Sequence, residues 1–120
     1  MVVIDSSGWI EYFTDGPKAR ACARYVEGEA ILTPTVVVYE VYKKIKRERG
    51  EDLALLCLSQ LSKTVIVPLD QPTALLAADL SLELSLPMAD SFVLATAHRN
   101  GAQLITSDAD FQGIAGVKVL

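Results

Sequence analysis

Several common signatures are missing from this chain, and each absence narrows the reading. No run of about 18 apolar residues occurs, so no membrane-spanning helix is expected. Met1 leads straight into Val2-Val3-Ile4, with no basic segment and no hydrophobic leader. No signal peptide is therefore expected, and the cytoplasm is the expected location. Cysteine is scarce: Cys22 and Cys57 lie far apart, each inside a helical pattern, which fits reduced, buried thiols better than a disulfide or a thiolate metal pair. Histidine occurs once, as His98 near the end of a helical pattern, where positive charge suits the helix dipole better than catalysis. The phosphate-binding pattern G-x-x-x-x-G-K-[ST], the dinucleotide pattern G-x-G-x-x-G and the nucleophile elbow G-x-S-x-G are all absent. There is no repeat, no low-complexity segment and no linker.

What remains is a chain of 120 residues, long enough for one domain with one core and expected to form a single domain over 1–120. A hydrophobic share of 51% against a charged share of 22% places it among globular proteins, not disordered ones. The net charge of −4 argues against a generally basic nucleic-acid coat protein. The charge is uneven, however. Five of the 11 basic residues fall between Lys43 and Arg49. An acidic protein can still meet phosphate through such a local strip.

Taken in order, strands alternate with helices. Val2 to Ile4 is apolar without alternation, the pattern of a strand buried on both faces. Ser6 or Ser7 is the expected N-cap of a short helix through Trp9, Ile10 and Phe13, broken at Asp15-Gly16-Pro17. A second helix is expected over Lys18 to Glu27 and a strand over Ala30 to Leu32. Thr33 or Thr35 is expected to cap the next helix, which runs to Arg49 with a Val38, Val41, Tyr42, Ile45 stripe and ends at Gly50. A leucine-rich helix over Asp52 to Leu61 and a strand over Val65 to Val67 follow. Asp70, with Pro72 two residues on, reads as the cap of a helix through Leu84. Pro87 then opens a helix that Gly101 closes, Gln103 to Thr106 reads as a short buried strand, and Val117 to Leu120 as the last. This alternation implies an open α/β sheet of about five parallel strands with helices on both faces. In such sheets ligands bind outside the C-terminal ends of the strands, where the strand order reverses.

Four acids are placed for that rim. Asp5 and Asp108 stand just past strand tips, and Asp110 follows Asp108 closely. Asp90 lies in the first turn of its helix, in line with the apolar Val93, Leu94 and Ala97. Glu40 lies one turn after Val36 and Val37 and borders an apolar face. Each has a plainer reading. Asp5 could start a turn, Asp90 could simply favour the helix dipole, Glu40 could pair with Lys44 at i+4, and Asp108 and Asp110 could cap a brief helix through Phe111. Asp79 and Glu83 read as a solvated face. Burying several acids together costs several kcal/mol each unless a cation or donors compensate. Oxygen ligands without histidine or thiolate suit Mg²⁺ or Mn²⁺, and such ions can orient and activate water for phosphodiester hydrolysis. The strip of Lys43, Lys44, Lys46 and Arg47 could meet nucleic-acid phosphates, with Tyr39 and Tyr42 beside it to stack bases, although a solvated helix face and core or dimer packing are the plainer readings.

The VID start with Asp5, Glu40 in VVVYEVYKK, Asp90 in MADSFVLATA and ITSDADF near the C-terminus, in this order and spacing, resemble the PIN domain. The short single-domain form is similar to the VapC toxins of toxin–antitoxin pairs. The resemblance implies metal-binding acids at Asp5, Glu40, Asp90 and Asp108, with Asp110 as a supporting ligand. It also matches Thr106 to the family's hydroxyl residue before the last acid pair, and Ser6 to the small polar residue after the first acid. It implies a Mg²⁺-dependent endoribonuclease, usually a homodimer, inhibited by an antitoxin protein. An RNA-processing nuclease and a catalytically silent PIN binding module are the nearest alternatives. A receiver-type signalling domain fits worse, because Asp5 has no adjacent acid and Lys118 falls inside the last strand.

Overall fold

The computed structural model describes residues 1–120. Five strands form one sheet: β1 (Val2–Ile4), β2 (Ile31–Pro34), β3 (Val65–Val67), β4 (Gln103–Thr106) and β5 (Val117–Val119). Their spatial order is β3-β2-β1-β4-β5, and every pairing is parallel. Six helices connect them: α1 (Ser6–Phe13), α2 (Ala19–Gly28), α3 (Thr35–Arg49), α4 (Glu51–Leu61), α5 (Gln71–Leu84) and α6 (Met88–Arg99). Parallel strands need such crossovers, and their right-handedness puts α1 to α4 on one face of the sheet and α5 and α6 on the other. The expected open α/β architecture, a sheet of about five parallel strands with helices on both faces, is the one observed.

The winding explains where the burial lies. The chain steps outward from β1 to β2 to β3, then returns to lay β4 on the free side of β1. β1 is thus central and covered on both faces, and all three of its residues are buried. β3 ends at the sheet edge, and Val65 and Ile66 are exposed there. One apolar cluster of 24 buried residues fills the space between the layers, with Trp9, Phe111, Leu94 and Leu104 among its largest members. Both cysteines are buried and free. No single helix is long and apolar enough to cross a membrane.

Two helix starts differ from expectation. The N-cap of α1 is Asp5, not Ser6 or Ser7: its carboxylate accepts from the Gly8 amide at 3.1 Å. Only Asp5 stands between the last strand residue, Ile4, and the first helical residue, Ser6, so no turn intervenes for a serine to cap. At α3 neither Thr33 nor Thr35 caps. Pro34 occupies the cap position, and no side chain supplies a capping bond. Strand β2 runs to Pro34 instead of ending at Leu32, which keeps Thr33 inside the sheet, where its hydroxyl meets that of Thr64. The other boundaries shift by one residue: α2 starts at Ala19 and α4 at Glu51. Gly50, with φ of 96°, serves as the hinge between α3 and α4, a conformation that a side chain would strain.

Asp70 caps α5 as expected, accepting from Thr73 N at 2.9 Å. Arg99, at the end of α6, donates to both Asp70 oxygens and to the Thr73 hydroxyl, closing the α5–α6 pair. These donors hold the Asp70 carboxyl below its ordinary value, led by Thr73.

Leu94 faces the sheet from α6 with no exposed surface. Leu94→Ala is expected to destabilise the fold by about 2–5 kcal/mol with an unchanged m-value, measured by urea denaturation. A loss below about 1 kcal/mol would mean that this face of α6 is not packed as described.

Candidate active site

The strand order reverses between β1 and β4, and the C-terminal ends of these two strands lie side by side. Ile4 pairs with Ile105, and the Asp5 amide donates to the Ile105 carbonyl at 3.0 Å. Asp5 is consequently held beside Thr106, 101 positions later. Only 4% of Asp5 remains exposed. Its Oδ1 accepts from the Ser7 hydroxyl at 2.6 Å and from Gly8 N, and its Oδ2 accepts from the Thr106 hydroxyl at 2.7 Å. Burial pushes the Asp5 carboxyl up, these donors pull it down, and the Asp108 charge pushes it up again. Gly8 lets α1 start this close to β1: a Cβ there would meet Ile4 Cγ2 at 2.9 Å.

Asp108 follows β4 and is half-buried. Its Oδ1 accepts from Asp110 N at 2.9 Å, capping a single 3-10 turn over Ala109–Phe111. The plain cap reading of Asp108 is therefore correct, and it coexists with a place at the rim. Asp110 is exposed on that turn. Glu40 is half-buried in the second turn of α3. It makes no ion pair with Lys44, so the exposed i, i+4 reading fails. Burial raises its carboxyl, the Ser6 hydroxyl opposes that, and the Asp5 charge adds to it. Thus Ser6 faces Glu40, whereas Ser7 serves Asp5. The sequence reading singled out Ser6 and missed Ser7. An N-cap acid reaches groups two and three residues ahead, so Ser7 and Gly8 were the neighbours to expect once Asp5 was the cap.

Asp90 shows how the acids lie relative to one another. It sits half-buried in the first turn of α6, above the buried Val93, Leu94 and Ala97. Its carboxyl is pushed up to about 6, first by desolvation and then by the charges of Asp108, Asp5, Glu40 and Asp110 in that order. Acids drawn from β1, α3, α6 and β4 therefore share one field. None of these five takes part in any of the chain's four ion pairs. The expectation that Asp5, Glu40, Asp90 and Asp108 meet in one pocket that holds an ion is met only in part: their charges act on one another, but no three His, Cys, Asp or Glu side chains are near enough to hold a metal as they stand. The oxygens of Asp5 and Asp108 are turned toward their own hydroxyl and amide donors. The chemistry of the donor set, oxygen only and uncompensated by any base, nonetheless fits a hard divalent cation.

Beside these acids runs a groove of about 290 Å³, lined by Ser6, Ser7, Glu40, Lys43, Lys44 and Arg47 among others. It joins the acidic rim to the basic strip on α3. Lys46 does not line it. That side chain turns to Glu51 at 3.5 Å and lies over the Tyr42 ring. The strip thus divides, with three residues toward the groove and Lys46 toward α4. Tyr39 is 60% exposed and lines the groove under Lys43, so core packing does not describe it, whereas Tyr42 packs against the core. A larger cavity of about 390 Å³, between Trp9, Val26, Ile31 and Val65, contains none of the five acids.

The raised proton affinity of Asp90 has a definite sign for stability when a chelator removes divalent cations. The folded chain binds this proton more tightly than an unfolded chain with the ordinary value of 3.8, so the contribution is present below that value and lost as pH rises through about 6. Asp90→Asn is expected to stabilise the metal-free protein near pH 7.5 by on the order of 1 kcal/mol, discounted for the half-exposed position, and to give no gain near pH 4. Thermal unfolding at both pH values checks this; an equal effect at both would remove the electrostatic account.

The PIN domain family model matches residues 2–117. No curated protein matches the sequence significantly. Among solved structures, the chain is similar to one from a toxin–antitoxin complex of Klebsiella pneumoniae, at TM-score 0.83 and 26% identity, covering 99% of this chain and 97% of that one. It is also similar to VapC20 of Mycobacterium tuberculosis, described as a Sarcin-Ricin loop cleaving toxin, at TM-score 0.80 and 16% identity over 96% and 95% of the two chains. A third is from VapBC2 of Rickettsia felis bound to promoter DNA, at TM-score 0.77 and 15% identity over 100% and 98%. With a sheet whose order reverses between Asp5 and Asp108, and with nearly its whole length matched, the chain belongs to the PIN domain family.

Proposed function

We propose that the protein is a divalent-metal-dependent endoribonuclease of the VapC toxin kind. The observation that carries this reading is Asp90, whose carboxyl is raised to about 6 by burial and by the charges of four other acids at the sheet's switch point. Mutual repulsion of this kind is what a bound divalent cation would relieve. Membership of the PIN family supports a nuclease, and PIN domains generally use divalent metals. The likeness to toxin chains from toxin–antitoxin complexes supports an antitoxin protein as partner.

Asp5, Asp90 and Asp108 would hold the cation, with Asp110 in support. Bound there, Mg²⁺ or Mn²⁺ would act as a Lewis acid that lowers the pKa of an attacking water and offsets charge on the phosphoryl group. The remaining work falls to the chain itself. Asp5 is fixed by three donated hydrogen bonds and keeps its orientation without the ion. Glu40, half-buried and with raised proton affinity, is the group to take the proton from water. Thr106 and Ser6 hold the carboxyls of Asp5 and Glu40 against the effect of burial. Lys43, Lys44 and Arg47 line the adjoining groove and meet the RNA backbone, as point charges and a planar fork that suit phosphate oxygens.

Asp90→Asn is expected to lower RNA cleavage by more than about 100-fold while far-UV circular dichroism is unchanged, and a chelator should do the same to the wild type until Mg²⁺ or Mn²⁺ is restored. Full cleavage by the variant, or in the presence of chelator, rejects the reading. Replacing Lys43, Lys44 and Arg47 together by alanine is expected to raise KM and flatten the salt dependence, by about 0.7 in log–log slope per lost phosphate contact. Lys46→Ala should leave both near wild type, because its side chain engages Glu51.

A further inference from the structure

The hydroxyl of Ser7 has more partners than a helix surface requires. It donates to Asp5 Oδ1 at 2.6 Å and accepts from Ser107 N at 3.1 Å, 100 positions away. The Thr106 hydroxyl mirrors it. It donates to Asp5 Oδ2 at 2.7 Å and accepts from Asp108 N at 2.9 Å. The two hydroxyl oxygens lie 3.2 Å apart. Each hydroxyl has one proton, and in this arrangement both protons go to Asp5. The pair therefore forms two rails from one carboxylate to two consecutive amides of the turn that carries Asp108.

Lone-pair counting on Asp5 sharpens the point. A carboxylate offers about four acceptor sites, two on each oxygen. Oδ1 receives the Ser7 hydroxyl and the Gly8 amide, and both of its sites are filled. Oδ2 receives only the Thr106 hydroxyl, leaving one site open.

We propose that Ser7 is a positioning residue: by filling Oδ1 of Asp5 and holding the Ser107 amide, it leaves Oδ2 as the single oxygen Asp5 offers a divalent cation and fixes how far Asp5 stands from Asp108. This deepens, and rests on, the proposed nuclease reading. Ser7 also lines the groove beside the acids, but in this scheme it acts through Asp5 and the Ser107 turn and not as a ligand of the cation. Partners of this kind beyond the ligands typically cost 10–100-fold in metal affinity or activity when removed.

The test separates the hydrogen bond from the enzyme activity. In the metal-free protein, Ser7→Ala is expected to lose hydrogen-exchange protection at the Ser107 amide, read by NMR, while amides of β1 and α6 keep theirs. Titrated with Mn²⁺ by calorimetry, Ser7→Ala is expected to bind about 10–100-fold more weakly than wild type. Its kcat should fall at saturating Mn²⁺ with KM for RNA little changed. Ser7→Thr, which keeps the hydroxyl, should restore protection and affinity. Ser62→Ala, which removes an exposed hydroxyl that bonds only Leu58 O, is the control. Unchanged Ser107 protection, or Mn²⁺ affinity within about twofold of wild type in Ser7→Ala, overturns the inference and leaves the nuclease reading standing. Wild type without any Mn²⁺ or Mg²⁺ site overturns both, and then Asp90→Asn has no activity to lose. If Ser7→Ala fails to fold, Ser7→Cys, of similar size but a weak donor, carries the same measurements with the same two outcomes.

Discussion

Strand β1 pairs with β4 in register, Ile4 against Ile105, and the next amide along, that of Asp5, donates to the Ile105 carbonyl. From this pairing the rest of the site follows. It forces two segments a hundred residues apart to end at the same height, so the acids after them share a rim. It also makes β1 the central strand, which is why Asp5 is dehydrated as soon as the strand ends. Because α1 starts without a turn, the same carboxylate serves as helix cap and as member of the acidic group.

The energetic consequence is a concentration of like charge. Asp5 is stabilised locally by three donors, whereas Asp90 has no hydrogen-bond donor of its own and takes the full effect of burial and neighbouring charge. No lysine or arginine is drawn in to neutralise the group, although Lys43, Lys44 and Arg47 stand along the adjoining groove. The bases stand beside the acids without pairing with them, which is the arrangement the proposed nuclease would use: the acids for a compact cation, the strip for an extended polyanion. Elsewhere the chain pairs its charges in the ordinary way, as Arg99 does with Asp70.

Much of this was readable before any coordinates. The apolar run Val2-Val3-Ile4, the helix opened at Pro87 and the alternation of strand and helix gave the fold class, since each rests on local periodicity. Asp5, Asp90 and Asp108 stood out because an acid next to a buried apolar stretch is costly wherever the chain goes. Thr33 was misread as a cap because β2 runs two residues further than its apolar segment. Ser6 entered the site only through the family resemblance and Ser7 only as an alternative helix cap, because the direction of a hydroxyl depends on how the helix starts. Lys46 was grouped with its neighbours because a run of charges does not reveal which members turn toward α4.

The sequence by itself determined which segments become strands and helices, which faces they bury, and which acids must lie at element ends, because these follow from spacing and from the cost of burying charge. Only the tertiary structure decided the strand order. It thereby decided that Asp5 meets Thr106, that Ser7 reaches Ser107, and that Asp90 feels four other carboxylates. The reason is physical: pairing between distant strands is chosen by the packing of the whole sheet and its crossovers, and no local pattern carries that choice.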